Sequence, residues 1–505
     1  MHTGATSATP PDTSITGRVA RSASCSRATG RSLSCGIRSL GQWRWYVSVT
    51  ERTVKTDEVT PGQGGYVSGA RVLAVGVGAT GLLTFVYFSL SSHLLSATAY
   101  GQLSVLWAAL FIVISVIYRP IEQLLSRTIA DRRARGAHGN HPLRGPMLIQ
   151  LGFALAFLVV AIVLKPEIEE LFGGSESLYL IFVGATLAYA ASYFARGYFA
   201  GHQWFVLYGG LMLFESSARV CFPLAVLVGI TSGQDAIALG IFAAPLASLV
   251  VVPWAIARHS RLDRDAPVVE VSSVVGTGVG FAGSVAVIQL GEQTLLNAGV
   301  LVADSVAGAA TAGAVFSVLL ITRAPLQLFQ SIQTTLLPHL TGLEATEGGE
   351  EFSHAIKITV RAIAVFAGFS ALLMLLIGPS LMQLFFGDDT IFGRWGLAAV
   401  AVGMGFHLAA GTLNQAALAR GRARAASIIW MLVALGFVGW MFVPLISSAL
   451  LRAELGYPTA TAILCALLYV LYRQPPLADA ELVPARRSVE DVIEGSGGII
   501  LTEDR

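Results

Sequence analysis

A small set of ionisable side chains lies inside long apolar stretches of this sequence. On insertion scales, each charge at the centre of a membrane-spanning helix costs about 2.5–3.5 kcal/mol. Side chains retained against that cost are the first candidates for chemistry. They are Arg119, Glu215, Arg219, Glu292, Arg323 and His407.

Glu215 and Arg219 are four residues apart, which places both on one face of a helix. They form either an internal ion pair that stabilises a helix bundle or a pair in which substrate replaces one partner. Arg119 and Arg323 occur in "VIYRPIEQLLS" and "LITRAPLQLFQ", each shortly before a proline. They either reach the lipid headgroups or face each other across a cleft, where two guanidiniums would bind phosphate oxygens.

Glu292 and His407 are candidates for ion coupling. Glu292 stands between two glutamines and either carries a coupling proton or cation or bonds a neighbouring helix. His407 is either a hydrogen-bonded core histidine or a proton relay. The four cysteines lack metal-ligand spacing, so we expect no metal site and no cofactor beyond coupling to H⁺ or Na⁺.

The composition predicts an all-α polytopic membrane protein. Of 505 residues, 54% are hydrophobic and only 13% charged, with a mean hydropathy of +0.67, whereas soluble chains carry roughly 25% charged residues. The apolar residues form twelve segments of about 20 residues, the length of a spanning helix. These segments are 72–91, 103–124, 146–165, 177–195, 206–230, 236–256, 273–297, 307–324, 358–378, 396–418, 425–447 and 455–472.

Loop charges predict the orientation of these segments. Arginines concentrate in the loops after segments two, six and ten, which lie on one side if there are twelve spans. The opposite loops are mostly acidic, as in the stretch that follows Lys165. Because positive loops face the cytoplasm, both termini are predicted to be cytoplasmic. Arg196 and Arg420 are predicted to lie at cytoplasmic helix ends, where orientation and contact with the headgroups explain them.

Internal repetition predicts two related halves. "GVGATG" at 76–81 recurs as "GVGFAG" at 278–283, and the Arg119 and Arg323 contexts recur in the same order. A dinucleotide fingerprint would need a preceding strand, whereas the first match lies inside an apolar segment, so the glycines are interpreted as close-packing positions on helices. Two six-helix halves that enter the membrane in the same direction form parallel repeats, an arrangement used by transporters.

The predicted architecture has two pseudo-symmetric six-helix bundles around a central cavity. A disordered basic segment (1–70) precedes the first bundle (71–257), and a cytoplasmic linker (258–272) joins it to the second (273–472). A disordered cytoplasmic tail follows (473–505). The sequence contains no P-loop, and its short outer loops offer no catalytic domain, so we expect a protein that is not an enzyme.

Several stretches resemble bacterial polysaccharide flippases of the multidrug/oligosaccharidyl-lipid/polysaccharide (MOP) exporter superfamily. They are "YGQLSVLWAAL", "RGYFAGHQWFVLYGGLMLFESSARV" and "TRAPLQLFQSIQTTLLPHL", and the resemblance covers roughly 71–472. It implies alternating-access transport of a polyprenyl-pyrophosphate-linked oligosaccharide across the cytoplasmic membrane. It also implies that Arg119, Arg219 and Arg323 meet the pyrophosphate.

Two other functions stay open at the level of sequence. A multidrug/cation antiporter of the same superfamily would favour carboxylates in its cavity, and a non-transporting membrane scaffold would pair its charges internally. The expected partners are the lipid-linked glycan and membrane lipid, with a glycan polymerase or other envelope-assembly membrane proteins as further candidates. Nothing in the sequence predicts binding of nucleic acid.

Overall fold

The computed structural model of the protein describes residues 63–134, 143–250, 252, 278–320, 349–387 and 392–474. The predicted basic segment up to residue 62, the linker 258–272, Arg323 and the tail from residue 475 lie outside the described residues. The chain separates into the units Met1–Tyr66 and Val67–Arg505, and the fold lies in the second unit.

The described residues form helices and connecting turns, with no strand among them. Among the described residues, ten helices are long and apolar enough to cross a membrane, and Gln234–Leu249 and Ala309–Leu320 are shorter apolar helices. The predicted all-α fold is therefore confirmed, with ten candidate spans, while the predicted sixth and eighth spans coincide with the two shorter helices. The helices are α1 Gln63–Leu94, α2 Ala97–Ile117, α3 Arg119–Ala134, α4 Arg144–Val163, α5 Lys165–Leu171, α6 Glu176–Gly201, α7 Phe205–Leu227, α8 Gln234–Leu249, α9 Gly278–Ala307, α10 Ala309–Leu320, α11 Gly349–Phe386, α12 Arg394–Ala419, α13 Ala423–Phe442 and α14 Ala449–Arg473.

Several helices run further than the sequence predicts, among them α1, α6, α9, α11 and α14. The fourth segment was predicted to end at residue 195, but α6 continues to Gly201 and includes Arg196. The seventh was predicted to end at residue 297, but α9 continues to Ala307. Helix α9 ends where Gly308 takes a positive φ of 82°. A glycine in the left-handed region commonly terminates a helix.

The second apolar segment is interrupted next to Arg119. Helix α2 ends at Ile117, Tyr118 forms the C-cap with φ −100°, and α3 starts at Arg119. Pro120 has no amide hydrogen for the preceding helical turn, which explains a break at this point. The break places Arg119 at the start of a new helix in the interior of the segment.

The helices pack into two bundles. In the first, α6 contacts α2, α3 and α8, while α7 packs against α8. The Tyr87 hydroxyl of α1 donates a hydrogen bond of 2.9 Å to the Ile237 carbonyl oxygen, which ties α1 to α8. In the second bundle, α12 packs between α11 and α14, and α9 packs against α13.

Glycines permit close approach at particular crossings. A Cβ on Gly76, within the "GVGATG" motif, would lie 3.0 Å from the Gly209 Cα atom of α7. A Cβ on Gly403 of α12 would lie 2.7 Å from the Pro458 Cα atom of α14. Among the residues that the structure describes, a Cβ on Gly283 of the repeated motif would meet nothing within 4 Å.

The two bundles make their aromatic and hydrogen-bonded contacts at one end. The Tyr100 and Ser317 hydroxyls are 3.0 Å apart, and Ser89 Oγ donates a 2.8 Å hydrogen bond to the Phe385 carbonyl oxygen. The ring centroids of Phe88 and Phe316 are 4.5 Å apart. These contacts join α1 to α10 and α11, and α2 to α10. They lie close to the C-terminal ends of α1 and α11 and the N-terminus of α2, which the loop charges predict to be on the outer side.

Candidate functional site

A buried network in the first bundle is centred on Glu215. Its carboxylate accepts hydrogen bonds from Arg196 at 2.7 Å, Arg219 at 3.2 Å and Ser192 at 3.0 Å. The Glu215 and Arg219 residues are only 3% exposed and Arg196 is 7% exposed. Since a charge buried without partners is costly, this carboxylate holds two cations inside the bundle.

Arg219 of α7 contacts side chains of α1, α2 and α6, as well as Glu215 of its own helix. It donates a 2.7 Å hydrogen bond to the Tyr189 hydroxyl of α6, and its Nη1 lies 3.5 Å from Thr84 Oγ1 of α1. The centre of its guanidinium lies 4.7 Å from the Trp107 ring centroid of α2, which is a cation–π geometry. The i, i+4 pair with Glu215 predicted from sequence is present, as an internal ion pair in this conformation.

Arg196 takes a position that the sequence did not predict. The predicted span ended just before it, and contact with headgroups was thought sufficient to explain it, but the extended α6 places it inside the bundle. Its guanidinium lies 4.8 Å from the Tyr193 ring centroid. The Nε atoms of Arg196 and Arg219 are both buried without a hydrogen-bond partner. Two guanidiniums thus share one carboxylate.

The spacing of residues on α6 was the signal that could have revealed this network. Tyr189, Tyr193 and Arg196 follow one another at intervals of four and three residues, so they lie on one helix face. That face also carries Ser192 near Glu215. A row of aromatic residues and an arginine along one face of an apolar helix predicts that this face lies inside the bundle. It also predicts that the arginine has a charged partner there.

Arg119 lies between the bundles. It is half-buried at the start of α3, and α3 packs against α9 of the second bundle. Glu122 lies one turn further on α3 and accepts a 2.7 Å hydrogen bond from the Tyr208 hydroxyl. Both alternatives for Arg119, contact with the headgroups and a position in the cleft, stay predictions.

A second cluster lies in the second bundle around Glu292. Gln289 donates a 3.1 Å hydrogen bond to the Glu292 carboxylate, and His407 Nε2 lies 4.0 Å from the same carboxylate. His407 Nδ1 lies 3.3 Å from the Tyr457 hydroxyl of α14. The cluster combines residues of α9, α12 and α14, and the Glu292 side chain keeps 19% exposure. Sequence reasoning identified Glu292 and His407 separately, and the fold brings them together.

The predicted site residues therefore fall into two groups. Glu215 and Arg219 belong to the closed network of the first bundle, whereas Arg119, Glu292 and His407 lie along the junction of the bundles and the second cluster. Arg323 lies outside the described residues. Among the described residues, no group of three His, Cys, Asp or Glu side chains could hold a metal ion.

The predicted outer surface carries an exposed charge cluster. Lys165 Nζ lies 3.0 Å from Glu176 and 3.3 Å from Glu169. Hydrogen bonds to these two carboxylates raise the pKa of Lys165. Because the ammonium is exposed, the cluster contributes little to stability, in contrast to the buried network.

No family model matches the chain, and no curated protein matches it. Solved structures do share its fold. An outward-facing structure of a multidrug resistance MATE family transporter of the MOP superfamily is 14% identical, with a TM-score of 0.58 over 81% of this chain and 94% of that chain. An inward-facing structure of such a transporter is 12% identical, with a TM-score of 0.52 over 80% and 93%.

A MOP superfamily transporter from Pyrococcus furiosus is 16% identical, with a TM-score of 0.55 over 81% of this chain and 94% of that chain. That protein is described as having a reverse polarity of its binding pocket, which suggests a different function. At these identities the similarity shows a shared fold: two bundles in the arrangement of MATE-type transporters.

Proposed function

We propose that this chain is a membrane transporter of the MOP superfamily that moves an anionic, lipid-linked oligosaccharide between membrane leaflets. The transporter part of the proposal is supported by the two-bundle fold shared with MATE-type structures. Two bundles whose hydrogen-bonded contacts gather at one end are suited to alternating access. The substrate class is argued from charge.

The excess of buried cations in the first bundle is the observation that carries the substrate class. Arg196 and Arg219 share the single carboxylate of Glu215, so this buried network has one positive charge in excess. A pyrophosphate has oxygens that match the donors of guanidinium groups. A cationic, partly hydrated path lowers the barrier for such a headgroup, while a polyprenyl tail stays in lipid.

Arg119 is the side chain placed to meet the substrate first. It is half-buried at the junction of the bundles, whereas Arg219 is only 3% exposed. Arg219 and Glu215, which both lie on α7, contribute to substrate binding when α1 and α6 move away from α7. The ion pair then loses its neighbours on those two helices. One of the solved structures with this fold is described as having reversed pocket polarity, which supports charge as the property that varies with substrate.

The test is a translocation assay with purified protein in liposomes. The inner leaflet carries a fluorescent polyprenyl-pyrophosphate oligosaccharide, and its appearance in the outer leaflet is measured under proton, sodium or electrical gradients. Arg119→Ala combined with Arg323→Ala is expected to reduce translocation at least about tenfold, since losing one charge-assisted hydrogen bond costs about 1.5–3 kcal/mol. Arg424→Ala, which changes an exposed arginine on α13, is the matched control and should retain wild-type translocation.

Retained translocation in the double variant would remove Arg119 and Arg323 from the substrate path and leave the transport function in place. No translocation by the wild-type protein under any gradient would overturn the substrate class.

A multidrug/cation antiporter is the second candidate, favoured by a different observation. Glu292 is a carboxylate inside a spanning helix with 19% side-chain exposure, as a site for a cationic substrate would require. The same liposomes loaded with a cationic dye discriminate between the two functions. Gradient-driven dye movement that Glu292→Gln abolishes would favour the antiporter. Movement of neither the dye nor the glycan lipid would favour a scaffold.

A further inference from the structure

Glu454 is a buried carboxyl group near the start of α14, in the second bundle. The residue is 5% exposed, and its Oε1 atom is buried without a hydrogen-bond partner among the described residues. Within the same part of the chain, no arginine, lysine or histidine forms an ion pair with it. The loop charges predict this end of α14 to be on the outer side. The proposed function does not use this titratable group.

The immediate neighbours of Glu454 leave its charge uncompensated. Its carboxyl group packs against Gly396 in the first turn of α12, where an added Cβ would collide with it. Arg452 is also 5% exposed, but its Nη1 donates a 2.6 Å hydrogen bond to the Met441 carbonyl oxygen of α13. Arg394 begins α12 and is exposed. The missing side chain at Gly396 thus provides the room that the carboxyl group occupies, without a charged partner.

The other ionisable groups on the helices around α14 bring no cation to Glu454. Helix α13 carries Arg424 in its first turn, whereas its last turn is the part that meets the start of α14. The charged residues of α9 are the acids Glu292 and Asp304. His407 of α12 lies 4.0 Å from the Glu292 carboxylate and forms no ion pair with Glu454. The surroundings of this carboxyl group therefore do not favour its ionised form.

A comparison with Glu215 shows what a buried ionised carboxylate needs in this protein. Glu215 is 3% exposed and accepts hydrogen bonds from Arg196, Arg219 and Ser192. Glu454 is buried to nearly the same degree, and its Oε1 atom has no such donor. A negative charge without partners in apolar surroundings is costly, and a carboxyl group in that position takes up a proton instead. Similar burial thus leads to opposite charge states.

We propose that Glu454 is an internal proton-binding site that holds a proton in this conformation. The proton bonds to one carboxyl oxygen and removes the negative charge, so the protein needs no cation there. The proposal goes beyond the proposed function, because Glu454 is separate from the arginines assigned to the substrate. It adds a third residue to the candidates for ion coupling, Glu292 and His407. Glu292 differs from Glu454 because its carboxylate accepts a 3.1 Å hydrogen bond from Gln289.

The first test is infrared difference spectroscopy of the full chain in nanodiscs at about pH 7, where a glutamate with its ordinary pKa of about 4.3 is ionised. The spectrum of wild type minus Glu454→Gln should contain the carbonyl band of a protonated carboxylic acid. Glu454→Met should give the same band, and it serves as the second variant if the glutamine amide disturbs packing. Glu176→Gln is the matched control at an exposed carboxylate, and its difference spectrum should lack the band.

The second test is the pH dependence of stability, measured by denaturant unfolding in detergent. If Glu454 holds its proton only in the folded chain, folding takes up a proton. The resulting stability is fully present below the ordinary glutamate pKa of about 4.3 and is lost as pH rises above it. Relative to Glu454→Gln, the unfolding equilibrium constant of wild type should therefore rise with pH, by up to about tenfold per pH unit for one proton. Glu176→Gln should behave as wild type.

Either measurement can overturn the proposal. If the difference spectrum of Glu454→Gln lacks the acid band, the carboxyl group is ionised in wild type and the proposal fails. It also fails if wild type and Glu454→Gln share one pH dependence of unfolding. A carboxylate band of Glu454 that responds to added sodium would assign the site to a metal cation instead. Because neither measurement uses the substrate, a failed translocation assay would leave this proposal standing, and its failure would leave the proposed function standing.

Discussion

At the residue scale, the position of one carboxylate determines how positive charge is tolerated inside the first bundle. Glu215 bonds Arg196 and Arg219 together, and Tyr189 and Trp107 supply the remaining polar and π contacts of Arg219. Both arginines are permanently charged at physiological pH. The network therefore holds fixed charge inside the first bundle.

Replacing Glu215 tests the cost of leaving those arginines unpaired. Glu215→Gln keeps the shape of the side chain but removes the negative charge shared by two buried guanidiniums. We expect the free energy of unfolding to fall by about 3–5 kcal/mol, as when one partner of a buried ion pair is removed. Denaturant unfolding in detergent, followed by tryptophan fluorescence, measures the change.

Glu176→Gln is the matched control for this experiment. Its side chain is 69% exposed and pairs with Lys165 at the surface, so its loss should change the stability by less than about 1 kcal/mol. Equal destabilisation by the two substitutions would contradict the role of Glu215 in the buried network.

At the element scale, the crossing of α2 and α10 determines how tightly the bundles close at one end. Gly101 of α2 packs directly against the backbone at Ala309, and a Cβ on Gly313 would lie 3.1 Å from the Gly101 Cα atom. Neither position has room for a side chain while the bundles are in contact. The adjacent hydrogen bond between Tyr100 and Ser317 depends on the same approach.

Gly101→Val should therefore separate α2 from α10 without disturbing either bundle internally. The measurement uses a chain without native cysteines that carries a new cysteine at position 317. This cysteine should react with a membrane-impermeant maleimide at least about tenfold faster when Gly101 is replaced, because a change of about 1.4 kcal/mol shifts the equilibrium toward separated bundles by that factor. Gly152→Val on α4 is the control, since a Cβ there meets nothing within 4 Å. Unchanged labelling in Gly101→Val would show that this crossing does not close the bundles.

At the scale of the whole molecule, the hydrogen-bonded and aromatic contacts between the bundles gather at one end, and α9 also packs against α2 and α3. The contacts Tyr100–Ser317 and Ser89–Phe385 join the bundles, and Arg119 and Glu292 lie on α3 and α9. Solved structures with this fold include inward-facing and outward-facing conformations. An anion that reaches Arg119 from one side and leaves from the other would require exchange between two such states.

The predicted orientation can be measured by labelling in intact cells. With the native cysteines replaced, a cysteine at position 176 should react with an impermeant maleimide from outside, and a cysteine at position 424 should react only after permeabilisation. Both positions are exposed in the fold, so accessibility reports the side of the membrane. The reverse pattern would invert the orientation that the arginine-rich loops predict and place the closed end of the bundles on the cytoplasmic side.

The sequence by itself determined the all-α membrane fold and its approximate span positions. Apolar length is a local property, because each spanning helix must satisfy its own backbone hydrogen bonds in lipid. The sequence also identified the pair of Glu215 and Arg219, since a spacing of four residues on one helix fixes their proximity. The break next to Arg119 was likewise anticipated from Pro120.

Only the tertiary structure decided which charges meet across helices. Arg196 was assigned to a headgroup position because its helix was predicted to end too early, yet it bonds Glu215 of a different helix. Glu292 and His407 are far apart in sequence, and only the packing of α9 beside α12 and α14 places them 4.0 Å apart. Periodicity fixes the face of one helix, but the neighbour of that face depends on how all the helices pack, which no local pattern contains.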